Sequence, residues 1–116
     1  MLKRPLLRAS LFAIALPFAF VAVTGTALAD CKNGYVWRDA KDGDGVCVTP
    51  QDRAEAKAQN ANAENNRKVG GGPSGPNSCR DGYVWREAFA GDVVCVTPFE
   101  RQKVSDQNAV GASHSN

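Results

Sequence analysis

"CKNGYVWRDAKDGDGVCVTP", residues 31–50, returns 48 positions later as "CRDGYVWREAFAGDVVCVTP", residues 79–98, and the two agree at 14 of 20 positions without a gap. Beyond them the match thins to Arg53 against Arg101 and Gln59-Asn60-Ala61 against Gln107-Asn108-Ala109. Each unit opens like a hairpin. Gly34-Tyr35-Val36-Trp37-Arg38 is β-branched and aromatic, "KDGDG" or "AFAGD" supplies turn chemistry, and Val46-Cys47-Val48-Thr49 returns. Alternation places Tyr35 and Trp37 on one face, and Val46 and Val48 are expected to pack against them; Tyr83, Trp85, Val94 and Val96 repeat the pattern. A helix follows, because Thr49-Pro50 with Asp52, and Thr97-Pro98 with Glu100, read as N-caps with proline in the first turn. After Pro50 the chain is rich in Ala but has no wide apolar stripe, so this helix has little to bury.

The two cysteines of a unit stand 16 positions apart and flank the hairpin. Four cysteines allow three pairings. Cys31 with Cys47 and Cys79 with Cys95 is favoured, since it closes each hairpin without contact between units. A loop of that length stabilises by about 3 kcal/mol in the chain-entropy account. Zinc is disfavoured, because structural zinc sites draw ligands in close pairs. The acidic run Asp39, Asp42, Asp44 misses calcium-loop spacing at Ala40 and reads as a solvated turn. No metal and no cofactor is expected.

Such staples matter because the core is poor. Residues 30–116 contain no Leu, Ile or Met, and their large apolar residues are ten Val, two Phe, two Tyr and two Trp. So little apolar mass leans towards disorder, and small domains are marginal in any case. Disulfides require an oxidising compartment, and residues 1–29 supply the route. Lys3, Arg4 and Arg8 precede an uncharged apolar run, Leu11 to Val23, that closes on Ala27-Leu28-Ala29, so a signal peptide cut before Asp30 is expected. An uncleaved anchor fits less well, the run being short for a span. Lipid attachment at Cys31 fits poorly too, because Asp30 precedes it and Cys47 would lose its partner. The leader takes three of the 14 basic residues with it and leaves 11 against 12 acidic ones. No basic patch then argues for nucleic acid, and no membrane span is expected after cleavage.

The fold class expected is a small disulfide-rich α+β protein of two tandem β-hairpin-plus-helix modules with a flexible linker between them. Module 1 covers 30–67 (hairpin 31–49, helix about 50–67). A Gly/Pro-rich linker, residues 68–78 and including "VGGGPSGPNS", follows. Module 2 covers 79–110 (hairpin 79–97, helix about 98–110), and 111–116 is expected to be a disordered tail.

Catalysis finds little support. The single histidine, His114, lies in that tail, the cysteines are spent on disulfides, and Asp39 and Glu87 could pair only if the modules faced each other. Candidate binding residues are Tyr35, Trp37 and Arg38 with Tyr83, Trp85 and Arg86. The aromatics offer stacking area to a glycan or an extended peptide, although without Leu or Ile a core role is favoured for them. Arg38 and Arg86, on the opposite strand face, read equally as polar contacts or solvent-facing charges.

The run "GYVWREAFAGDVVCVTP", residues 82–98, resembles a repeat found in many small secreted bacterial proteins of uncharacterised function, often in tandem and beside other exported domains. The first copy departs from it at Asp39 and at "KDGDG", which makes Phe89 dispensable to the unit. The resemblance implies export and modularity and carries no ligand or catalytic residue. The expected protein is therefore a secreted or periplasmic, non-enzymatic, bivalent binding module with an envelope or extracellular partner, glycan or protein. Two tethered sites would gain avidity. The alternatives are a ligand-free spacer or scaffold fragment, or a secreted hydrolase inhibitor.

Overall fold

The computed structural model describes residues 29–116, so the leader expected over 1–29 lies outside the described residues except for Ala29. In the first module β1 (Val36–Trp37) pairs antiparallel with β2 (Cys47–Val48), and α1 (Pro50–Ala61) follows with a 3-10 turn at Ala63–Asn66. The second repeats this with β3 (Val84–Trp85), β4 (Cys95–Val96), α2 (Pro98–Val110) and a 3-10 turn at Gly111–His114. Disulfides join Cys31 to Cys47 and Cys79 to Cys95, each with a Cα–Cα distance of 5.6 Å. The architecture is the small disulfide-rich α+β fold expected, in two similar strand–strand–helix modules.

Both helices start where the caps placed them. Thr49 Oγ1 accepts from the Asp52 amide, and in α2 the exchange is reciprocal, Thr97 Oγ1 accepting from the Glu100 amide while Glu100 Oε1 accepts from that of Thr97. The first helix is shorter than expected. It stops at Ala61, where the Asn62 amide is taken by Ala58 and Gln59 carbonyls, and the chain tightens into its 3-10 turn.

The strand register corrects the expected faces. Val48 stands opposite Val36, and Cys47 opposite Trp37; the Arg38 amide donates to the Val46 carbonyl at 2.8 Å. Val46 and Val48 therefore share the inward face with Val36 and Arg38, and Trp37 shares its face with the disulfide. The second hairpin matches.

The segments read as flexible are bonded in. Within the linker, Gly72 and Gly75 exchange backbone hydrogen bonds, the Lys68 amide donates to the Ser78 carbonyl at 2.8 Å, and the buried Ser78 hydroxyl accepts from the Ser74 amide. The tail forms its 3-10 turn, and Cys31 and Ser115 form an antiparallel bridge. Composition argued for looseness, but pairing within the linker itself, and of the tail against the opposite module, overrides it. The Arg80 amide donates to the Asn66 carbonyl, and the Lys32 amide to that of His114, which is the same contact moved 48 positions along.

Each module thus hands the end of its helix to the other module's hairpin, and the pair is closed about a pseudo-two-fold axis. Between them Ala40, Ala56, Ala88 and Val104 form the buried apolar cluster, with Phe89 at its edge. The space remaining at this centre is about 10 Å³, room for about one water. Tyr35, Trp37, Tyr83 and Trp85, favoured as core in the sequence, are only half-buried.

Candidate interaction surface

What fills the interior instead is charge. Arg38 and Arg86 are each 1% exposed, the largest fully buried side chains among the described residues. The Arg38 guanidinium reaches Asp44 through Nε at 2.8 Å and Nη2 at 3.2 Å, then crosses to the other module, where Asn108 Oδ1 accepts at 2.9 Å, Gln107 Oε1 at 3.3 Å and the Ala88 carbonyl at 3.2 Å. All five of its donors have a place. Arg86 does so in part, with Asp92 at 2.7 Å and 3.2 Å and Gln59 Oε1 at 3.2 Å, but its carbonyl partner is Ala56 at 3.5 Å, while Asn60, the counterpart of Asn108, donates to the Ala40 carbonyl instead.

The carboxylates are as fully engaged. Asp44 also accepts from the amides of Ala40 and Val46, and Asp92 from those of Ala88 and Val94, which closes each hairpin turn on itself. Burial by itself would raise the Asp44 carboxyl, but the Arg38 guanidinium and the two amides outweigh it and hold the group below its ordinary value. Asp39 and Glu87, at φ 55° and 57°, adopt the left-handed backbone that follows each arginine and turns Ala40 and Ala88 inward.

These placements remove Arg38 and Arg86 from the candidate binding residues: both are sealed in and bonded to interior partners. Asp39 and Glu87 are not brought together as an acid/base pair. Each is exposed and meets an arginine of its own module, Asp39 with Arg53 at 3.4 Å and Glu87 with Arg101 at 3.8 Å. Among the described residues no group of three or more His, Cys, Asp or Glu is arranged to hold a metal ion, and no helix is long and apolar enough to cross a membrane.

The aromatics remain at the surface, in two related patches. Tyr35 is stacked on His114 at 4.0 Å between ring centroids, so the histidine expected to be unoriented in the second module's tail is held by a ring of the first module. At the related position the Arg80 guanidinium lies 5.0 Å from the Tyr83 ring centre. Trp37 Nε1 donates to the Ala29 carbonyl and Trp85 Nε1 to that of Asn77, both at 2.8 Å. Beside Tyr35 runs a groove floored by Val48 and Val110 and rimmed by Asp52, Lys103 and Asp106. Beside Tyr83 and Trp85 a second groove is lined by Pro73, Val84 and Arg101.

Comparison with protein-family models, with curated proteins and with solved structures returned no match. The site therefore rests on its own geometry. Sequence reasoning missed the buried network, although a signal for it was present. Arg38/Arg86, Asp44/Asp92, Gln59/Gln107 and Asn60/Asn108 are all identical between the copies, while turn positions 41/89, 42/90 and 45/93 differ.

Proposed function

We propose that this chain is an exported, non-catalytic interaction protein that binds a glycan or an extended protein segment through two aromatic patches, Tyr35–Trp37 and Tyr83–Trp85. The observation that carries the reading is the inversion of burial. A chain with little apolar mass puts two arginines inside and leaves both tryptophans and both tyrosines half-exposed. Such rings offer rigid area at low entropic cost.

Export is supported by the leader pattern, by the two disulfides, which suit an oxidising compartment, and by the likeness to small secreted bacterial repeat proteins. A secreted or periplasmic location is the reading these support. Cleavage before Asp30 takes away the Ala29 carbonyl that Trp37 Nε1 donates to. In the mature chain this indole N–H loses that partner beside its half-buried ring, whereas Trp85 keeps Asn77. The gain from duplication becomes a fixed spacing between two patches in place of a loose tether.

The test is titration of the oxidised mature protein, residues 30–116, with cell-wall glycan fragments and extended peptides, followed by tryptophan emission and amide shifts. Saturable shifts confined to the two patches are expected. Trp37→Ala and Trp85→Ala should each weaken binding and the double variant abolish it, with folding retained. A panel that leaves every signal unmoved would favour the ligand-free spacer.

A further inference from the structure

We infer that the two modules have diverged into complementary halves, so that the surface between them is a self-recognition surface coded for unlike pairing. Positions related by the 48-residue offset meet themselves across the pseudo-two-fold axis, and at three such positions the copies differ. Glu55 and Lys103 are one pair: Lys103 Nζ lies 2.7 Å from Glu55 Oε1, with Asp52 at 3.5 Å. Lys41 and Phe89 are another, the ammonium 4.6 Å from the ring centre. Ala56 and Val104, in the one buried cluster, are the third.

Each difference is complementary: negative against positive, cation against aromatic face, small against larger. Pairing two first modules would set Glu55 against Glu55, Lys41 against Lys41 and Ala56 against Ala56, giving two like-charge contacts and a void. Pairing two second modules would set Lys103 against Lys103 and crowd Val104 against Val104. Identical copies cannot discriminate in this way, and discrimination needs such repulsive elements as well as attractive ones. Phe89, dispensable to the repeat unit, acquires a role as the partner of the other copy's Lys41.

The partner such a surface fits, other than the module on the same chain, is the unlike module of a second copy. The only main-chain connection between the modules passes through residues 68–78, whose ends are already paired at Lys68 and Ser78. The chain ends repeat that geometry, the Asn116 amide donating to the Asp30 carbonyl at 2.8 Å. Opening the connection in two chains lets them exchange modules and rebuild both interfaces with every unlike contact intact.

Two sets of variants test this in the oxidised mature chain. In the natural chain, E55K and K103E each put like charges face to face, and E55K/K103E together restores an opposite pair. Urea unfolding should show lowered midpoints for both singles and, for the double, a midpoint above that of K103E alone though below wild type, because a carboxylate at position 103 lies beside Asp52; losses that simply add would overturn the code. The second set deletes residues 69–77, joining Lys68 to Ser78 and leaving nothing for the chain reversal, which needs about two residues. Light scattering should then find an exchanged dimer. In that background E55K alone and K103E alone should each weaken dimerisation by about tenfold. An equimolar mixture should form a heterodimer tighter than either variant's homodimer, because position 55 of each chain then meets the opposite charge at 103 of the other. A folded deletion variant that stays monomeric, or one whose dimerisation ignores these charges, would overturn the inference. If the deletion variant does not fold, the cycle in the natural chain decides alone.

Discussion

Arg38 and Arg86 hold the positions that a Leu or Phe would take in a domain of ordinary composition. A guanidinium can do so only when its charge and donors are answered, and Asp44 with Gln107, Asn108 and the Ala88 carbonyl answers them for Arg38. Removing one partner strands the other. Arg38→Met is expected to cost about 3–5 kcal/mol in urea unfolding, because Asp44 is left buried and unpaired; a loss below about 1 kcal/mol would show that the network contributes little. The same pair sets a pH dependence. The Asp44 carboxyl lies below its ordinary value in the folded state. Its contribution is therefore present above the unfolded pKa of about 4 and is lost as pH falls through the folded value. Unfolding midpoints should drop on acidification below about pH 4, and Asp44→Asn should remove that carboxyl's share of the drop. Little of this was legible in the sequence, since an arginine after a strand reads the same whether it faces solvent or a partner module. The clue lay in the copies: Asp44 and Asp92 agree while Asp42 faces Ala90 and Gly45 faces Val93.

Helix starts were legible because a cap is local. Thr, Pro and an acidic residue within four positions satisfy the first amides whatever the rest of the chain does. Thr97→Ala should cost about 1 kcal/mol, measured by thermal unfolding, with a smaller loss for Thr49→Ala, whose hydroxyl has no counterpart to the bond that Thr97 Oγ1 donates to Glu100. Strand register was not legible. With Val and aromatic residues at successive positions, either face reads as apolar, and a slip of one residue exchanges them. The 3-10 turns after both helices were missed for a related reason: their partners belong to the opposite hairpin. Gly111 shows how closely the second turn is seated. A Cβ there would lie 2.9 Å from Val46 Cγ1, across the module boundary. Gly111→Ala should consequently destabilise the first hairpin, seen as faster amide exchange at Val46 and Cys47, although position 111 belongs to the second helix's end.

At the scale of the whole molecule, glycine and proline in the connection spoke for two beads on a string, whereas the hydrogen bonds describe one closed body. The Arg38 and Arg86 networks, the exchanged 3-10 turns and the Lys103–Glu55 pair all cross the boundary between copies. Neither module finishes its own interior. The sequence carried the duplication and the staples in plain view, but the interlocking depends on contacts between residues some 70 positions apart, such as Arg38 with Asn108, which no local pattern announces. Cooperativity is what separates the two pictures. The most direct measurement is urea unfolding of the oxidised mature chain in two single-tryptophan variants, Trp37→Phe and Trp85→Phe, so that each module reports alone. Coincident midpoints, shifted together by Arg38→Met, are the result expected of one interlocked unit. Separate midpoints, with Arg38→Met moving only the transition of its own module, would contradict it.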